Sequence, residues 1–260
     1  MSASISQKPA SILPAFADSP AAAHLQVGGL TRFSASDYPG KLAAVVFVQG
    51  CPWRCHYCHN PHLQARVCAN SGAPDWAGVM DFLQHRRSLL DAVVFSGGEP
   101  TIDPALPDAI AQVRALGFGV GLHSAGIYPQ RLAAVLPLVD WVGLDYKAPL
   151  ARLTALTGAK SSAGRVLDSV EALLLSGKPY EVRASIDPHW HSPDDLNAML
   201  CELKELGVRH LTLQQCRDAS GQPTSADFTN ALFSGSEAMA CSVLPPALAG
   251  GFASFSLRPA

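Results

Sequence analysis

The sequence has no excess of charge of either sign. Its 260 residues include 19 Lys and Arg and 21 Asp and Glu, which gives a formal net charge of −2 at pH 7. Proteins that track nucleic acid through its phosphates present a strongly basic field. The charge balance therefore predicts that nucleic acid is not a partner.

The sequence also contains no long hydrophobic run. A membrane-spanning helix needs about 20 consecutive apolar residues, and no segment approaches that length. The first residues lack a basic segment followed by a long apolar one, which is the pattern of a secretory signal. We therefore expect no membrane association and a cytoplasmic location.

Four of the seven cysteines are scattered along the chain, which argues against a disulfide framework. Free cysteines commonly act as small buried hydrophobic residues. We expect this structural role for the scattered four, which are Cys68, Cys201, Cys216 and Cys241.

The other three cysteines form the most informative segment of the chain. Cys51, Cys55 and Cys58 follow an apolar stretch over 42–48 that has the composition of a buried strand. Thiolates are soft ligands that suit iron–sulfur clusters or zinc. A cubane cluster normally takes four cysteines, so three would leave one iron open for a substrate.

A structural zinc site is the alternative interpretation. One of three nearby histidines, His56, His59 or His62, would then complete a tetrahedral set of sulfur and nitrogen ligands. Zinc modules usually bring their cysteines in two pairs. The trio at the end of an apolar strand therefore favours a cluster.

Strands and helices alternate along the chain. Strands are predicted over 25–33, 42–48, 91–95, 118–122, 141–145, 180–186 and 210–214, and helices over 75–87, 104–116, 129–136, 163–176 and 193–206. This alternation predicts an α/β fold with a parallel sheet. A helix over 226–240 and a strand over 252–257 are predicted near the end of the chain, and 1–24 is predicted to be a flexible extension.

Polar or glycine-rich residues follow almost every predicted core strand. The carboxyl ends of such strands meet at one face, where active sites gather. We therefore expect an enzyme site built from segments that lie far apart in sequence. They are the cysteine loop, Gly97-Gly98-Glu99-Pro100, His123-Ser124-Ala125-Gly126, Asp145-Tyr146-Lys147, Arg183 and Gln214-Gln215.

These motifs together resemble the radical S-adenosylmethionine (SAM) superfamily. The cysteine spacing and Tyr57 match its signature, and the resemblance covers roughly 25–217. Gly28-Gly29-Leu30, the turn from Asp37 to Lys41 and the loop ending at Pro61 make it most similar to the activating proteins of anaerobic ribonucleoside-triphosphate reductase. The resemblance implies an open partial (β/α)6 TIM-like barrel over 25–217, followed by a C-terminal extension over 218–260.

The resemblance also implies roles for individual residues. Cys51, Cys55 and Cys58 would hold a [4Fe–4S] cluster, and Gly97, Gly98, Glu99 and Pro100 would hold the amino group of SAM. Tyr57 and Asn60 belong to the same cofactor site, and Ser124 would reach the ribose. Asp145 and Lys147 are assigned to the ribose, carboxylate or peptide-substrate region. Arg183 would bind a cofactor carboxylate or pair with an acidic neighbour.

The implied activity is the formation of a glycyl radical on a partner enzyme. The resemblance names anaerobic ribonucleoside-triphosphate reductase as the partner and a reduced flavodoxin or ferredoxin as the electron donor. Larger activases carry extra cysteine runs between the cysteine loop and Gly97, where this chain has only Cys68. Two alternatives stay open, namely a radical SAM enzyme that acts on a small molecule such as a deazapurine precursor, and a non-catalytic zinc-binding interaction protein.

Overall fold

The computed structural model describes residues 20–66, 72–217, 222–225 and 250–258. Within these ranges one sheet contains eight strands in sequence order: β1 Val27–Ser34, β2 Ala43–Val48, β3 Ala92–Gly97, β4 Gly119–Ser124, β5 Trp141–Asp145, β6 Tyr180–Ile186, β7 His210–Gln215 and β8 Ser254–Arg258. β1 pairs with β2 in antiparallel orientation, and every later pair is parallel. The first and last strands form the two edges, so the barrel is open, as predicted.

In the described part of the chain, six α-helices lie between the parallel strands. They are α1 Trp76–Gln84, α2 Leu106–Ala115, α3 Pro129–Val135, α4 Leu150–Thr157, α5 Ser162–Leu175 and α6 Pro193–Glu205. Asp75 is the N-cap of α1, since its side chain accepts a hydrogen bond from the Gly78 N–H. The sequence analysis did not predict α4. The predicted helix over 226–240 lies outside the described residues.

The two faces of the sheet bury different sets of side chains. Alternate residues such as Val46, Phe95 and Val120 belong to the large core beneath the helices. On the concave face, a small cluster that includes Val45 and Val94 is covered by Tyr38, which comes from the predicted turn between β1 and β2. This turn therefore fills part of the barrel interior.

The two ends of the chain extend this core. The predicted strand over 252–257 is observed as β8, which pairs with β7. Pro20–His24, at the end of the predicted flexible extension, forms a short 3-10 helix in which Ala22 is fully buried. No helix in the described part of the chain combines the length and apolar character needed to span a membrane.

The chain needs glycine directly after β3, because its backbone there passes very close to the backbone directly after β2. A Cβ atom on Gly98 would overlap the carbonyl oxygen of Gly50 and lie 2.7 Å from its carbonyl carbon. Both obstructing atoms belong to the backbone and cannot rotate away. Gly97 has a φ of +120°, which L side chains rarely adopt.

We therefore predict that Gly98→Ala lowers the free energy of unfolding by more than about 2 kcal/mol. Gly164→Ala is the matched control, because a Cβ atom on Gly164 in α5 meets no other atom within 4 Å. That control should leave the stability unchanged or raise it by up to about 1 kcal/mol. Denaturant unfolding measures both values, and equal stability of the two variants would contradict the packing described here.

Candidate active site

A cleft of about 260 Å³ lies at the carboxyl ends of the parallel strands. It is the place where the sequence analysis expected the separated motifs to meet. The predicted site residues that line it are Cys51, Cys55, Tyr57, Cys58, Asn60, Gly97, Gly98, Ser124, Asp145, Lys147 and Arg183. Of the residues to which the resemblance gives a role in holding the cofactors, Glu99 and Pro100 do not line it.

The cysteine loop is held in place by backbone hydrogen bonds to distant segments. The Cys51 N–H donates to the Gln64 carbonyl at 3.0 Å, and the Arg54 N–H donates to the Thr157 carbonyl at 2.8 Å. Thr157 is the last residue of α4. The helix that the sequence analysis missed therefore helps to fix the loop that carries the cysteines.

The sulfurs of Cys51 and Cys55 lie in a poorly solvated environment. Burial raises the pKa of the Cys51 thiol to about 12, although a hydrogen bond from the Trp53 backbone opposes the shift. Burial also raises the pKa of Cys55, and the positive charge of Lys147 opposes that shift. A bound metal centre would supply the positive charge that deprotonates such thiols, so the donor set fits an iron–sulfur cluster.

The side chain of Glu99, which is predicted to help to hold the amino group of SAM, does not line the cleft and bonds to groups of the protein. Its carboxylate is fully buried and accepts hydrogen bonds from the Thr101 hydroxyl at 2.6 Å, the Ser124 hydroxyl at 2.8 Å and the Ala125 N–H at 2.8 Å. Burial raises its pKa, while these hydrogen bonds oppose the shift. In this structure Glu99 fixes Ser124 and Ala125, which line the cleft, and Pro100 begins a buried 3-10 turn beside it.

Three charged residues form a compact group on another wall of the cleft. Arg183 donates to Asp145 Oδ1 through Nε at 3.1 Å and Nη2 at 2.8 Å, and Lys147 Nζ donates to Asp145 Oδ2 at 2.9 Å. Of the two roles considered for Arg183, the structure shows the pairing with an acidic neighbour. The group carries two positive charges and one negative charge, so it presents a net positive charge to the cleft.

Asp145 is ionised because of these two neighbours. Burial opposes ionisation, but Lys147 and Arg183 outweigh that effect and hold the pKa of Asp145 well below its usual range. Burial also disfavours the charged form of Lys147. The negative charge of Asp145 outweighs that effect and raises the pKa of Lys147. Asp145 and Lys147 are therefore both charged at neutral pH.

Tyr57 and His191 hold the backbone next to this charged group. The Tyr57 hydroxyl donates to the Lys147 carbonyl at 2.8 Å, and His191 Nε2 donates to the same oxygen at 2.9 Å. His191 Nδ1 accepts the Asp187 N–H, which fixes the tautomer. His191 is itself buried, with 2% of its surface exposed.

The cleft also contains residues to which the sequence analysis assigns no cofactor contact. Trp53 and His59 belong to the cysteine loop, His123 and Gln214 follow core strands in the expected segments, and Asp37 and Ser185 lie outside those segments. Burial lowers the pKa of His123 to about 3, and its ring donates to the Asp37 carbonyl through Nε2 at 2.8 Å. The rule that polar residues follow core strands identifies His123 and Gln214, whereas no local pattern identifies Trp53.

The open parallel sheet and the cysteine-lined cleft at its carboxyl edge define an α/β protein with an enzyme-like site. The family model described as Radical SAM superfamily matches residues 45–186, which is more than half of the chain. The chain therefore belongs to the radical SAM superfamily and is a radical SAM enzyme. Its cofactors are a [4Fe–4S] cluster and SAM, which this family uses.

Two curated relatives cover parts of the chain. A Methanocaldococcus jannaschii protein provisionally named a glycyl-radical enzyme activating enzyme is 32% identical over 127 residues, 46% of this chain and 50% of that protein. A Streptomyces rochei PqqA peptide cyclase is 36% identical over 167 residues, 63% of this chain and 44% of that protein. The chain thus matches about half the length of these relatives.

Among solved structures, native anSMEcpe with bound AdoMet is similar to this chain. The match has a TM-score of 0.54 and 16% sequence identity, and it covers 65% of this chain and 50% of that one. At this identity the similarity concerns the fold alone.

We predict that Asp145→Asn lowers the free energy of unfolding at pH 7 by about 2 to 4 kcal/mol, since it leaves two cations without their partner. The folded pKa of Asp145 lies below its unfolded value of about 3.9. Its ionisation therefore stabilises the fold above that pH, and the stabilisation is lost as the pH falls through the folded value.

Denaturant unfolding at several pH values tests this prediction. The difference in the free energy of unfolding between the wild type and Asp145→Asn should have its full size at pH 7. It should become smaller only below about pH 4. Asp81→Asn is the control, because the Asp81 side chain is 75% exposed. Its ion-pair partner, His85, is also exposed, and His85 Nδ1 lies 3.8 Å from Asp81 Oδ1. It should change the stability by less than about 0.5 kcal/mol. A difference that does not change with pH would contradict the assignment.

Proposed function

We propose that this chain is an activase that uses its radical SAM site to generate a glycyl radical on a partner enzyme. Anaerobic ribonucleoside-triphosphate reductase is the proposed partner, and a reduced flavodoxin or ferredoxin is the proposed electron donor. The observation that carries the proposal is the cleft itself, where Cys51, Cys55 and Cys58 meet the ends of the parallel strands. We also propose that the protein is cytoplasmic and that its core domain runs from residue 25 to residue 217.

In this proposal, Cys51, Cys55 and Cys58 hold the [4Fe–4S] cluster. When bound and reduced, the cluster supplies one electron that cleaves SAM to methionine and a 5′-deoxyadenosyl radical, which can abstract a hydrogen atom from a substrate. The protein contributes binding, orientation and exclusion of water. Backbone hydrogen bonds to Gln64 and Thr157 keep the loop in one position for this role.

The other walls of the cleft suit the polar groups of SAM. Gly97 and Gly98 offer backbone at the surface of the cleft, and Ser124 is held there by its bond to Glu99. The net positive charge of Asp145, Lys147 and Arg183 suits a carboxylate. Tyr57 and Asn60 line the cleft next to Cys58 and would contact the same cofactor.

The family of the chain favours a cluster over a zinc site, because radical SAM enzymes use a [4Fe–4S] cluster. A tetrahedral zinc site would need a fourth ligand beside Cys51, Cys55 and Cys58. His59, one of the candidate zinc ligands, instead accepts the Arg217 N–H through Nε2 at 3.2 Å.

The two curated relatives support a polypeptide substrate over a small molecule. One is named for activating a glycyl-radical enzyme and the other for cyclising a peptide. A backbone glycine presented by a partner is therefore the substrate that we propose.

The proposal predicts that the reconstituted protein forms a glycyl radical on the reductase. The anaerobic protein should be mixed with SAM, a chemical reductant and the anaerobic ribonucleoside-triphosphate reductase encoded in the same genome. We expect a SAM-dependent organic radical signal on the reductase by electron paramagnetic resonance, together with 5′-deoxyadenosine. Cleavage of SAM that never yields a radical on the reductase would contradict the partner assignment.

Two cysteine variants make this assay specific. Cys55→Ala removes a proposed cluster ligand and should abolish both products. Cys201→Ala removes an exposed cysteine on α6 and should leave both products unchanged. Full activity of Cys55→Ala would contradict the proposed ligand set.

A further inference from the structure

The indole N–H of Trp53 is a buried donor without a partner. Trp53 is 2% exposed, and its Nε1 has no hydrogen-bond acceptor within the described part of the chain. Buried tryptophan N–H groups usually have a partner. Trp76 follows this rule, since its Nε1 donates to Gln112 Oε1 at 2.8 Å.

The position of Trp53 indicates where its acceptor lies. Trp53 stands between Cys51 and Cys55 in sequence and lines the cleft that all three cysteines line. Arg54 donates to the carbonyls of Cys51 at 2.7 Å and Trp53 at 2.8 Å. These bonds hold the backbone that carries the indole, which lies between two of the proposed cluster ligands in sequence.

Gln49 Oε1 is a second buried atom without a partner. It is not the missing acceptor for the Trp53 N–H. Gln49 is not among the residues that line the cleft. Its Oε1 lies against Gly28, and its Nε2 donates to the His62 carbonyl at 2.9 Å and the Ala65 carbonyl. The Gln49 oxygen therefore faces β1, whereas Trp53 borders the cleft.

We propose that the Trp53 indole N–H donates a hydrogen bond to a sulfur atom of the [4Fe–4S] cluster and raises the reduction potential of that cluster. The proposal rests on the function proposed above, because it needs the cluster to be held by Cys51, Cys55 and Cys58. Hydrogen bonds to cluster sulfurs are one of the means by which proteins set these potentials. Reduction adds negative charge to the cluster, so a donor stabilises the reduced form more than the oxidised form.

Trp53→Phe tests this inference because it keeps a buried aromatic ring and removes the donor, while its smaller ring makes the same loss of volume as the control variant described below. The midpoint potential of the reconstituted cluster is measured by redox titration with electron paramagnetic resonance. We expect the ratio of reduced to oxidised cluster at a fixed potential to fall about tenfold, which is a shift of 59 mV for a one-electron couple. An unchanged potential in Trp53→Phe would overturn the inference.

Trp76→Phe is the matched control. It removes a buried indole N–H that is already bonded within the protein, so it should lower the stability without moving the potential. Equal shifts in both variants would also overturn the inference, since they would reflect loosened packing. A wild-type protein that binds no redox-active cluster would instead refute the proposed function.

A second measurement uses the wild-type protein and does not depend on how the variant folds. Tryptophan labelled with ¹⁵N at the indole nitrogen is incorporated, and pulsed electron paramagnetic resonance is recorded on the reduced cluster. Trp53 is the tryptophan that lines the cleft, so we expect a ¹⁵N coupling from one indole. A reduced cluster without any indole coupling would overturn the inference.

Discussion

The site depends on the close contact between the ends of β2 and β3. The Gly98 N–H donates to the Val48 carbonyl at 3.0 Å, and the Glu99 N–H donates to the Gly50 carbonyl at 2.9 Å. These two bonds join the start of the cysteine loop to the glycine segment, and they require backbone approach that only glycine allows. Glu99 then extends the same connection to Ser124 and Ala125 after β4. One continuous set of hydrogen bonds therefore positions three walls of the cleft.

The charged group on β5 and β6 completes the cleft through a different kind of interaction. Arg183 and Lys147 are stable in a poorly solvated place because Asp145 lies between them. Tyr57 and His191 bond to the Lys147 carbonyl and so connect this group to the cysteine loop. The proposed cluster ligands and the proposed carboxylate site are thus parts of one packed unit.

Most of the fold could be predicted from the sequence, because local patterns of apolar residues indicate where strands and helices lie. The strands Trp141–Asp145 and Tyr180–Ile186 have the bounds that the apolar periodicity predicts. Helix α4 was missed because its eight residues follow Pro149 closely and its N-terminus has no side-chain cap. Such a short helix is stabilised by packing more than by its own sequence.

The cleft lining could be predicted only where a motif marks it. The cysteines, the two glycines and the charged residues follow strands, and the topology of a parallel sheet brings such residues together. The burial of Glu99 and His191 depends on partners that are distant in sequence, namely Ala125 and the Lys147 carbonyl. The missing partner of the Trp53 indole N–H likewise could not be predicted from the sequence, because it depends on the residues packed around the ring.

The most direct test of this account is electron paramagnetic resonance of the anaerobically reconstituted, reduced protein with and without SAM. The account predicts the signal of a reduced [4Fe–4S] cluster that changes when SAM is added, because three cysteine ligands leave one iron accessible from the cleft. A cluster signal that does not respond to SAM, or a protein that takes up zinc and no iron, would contradict it.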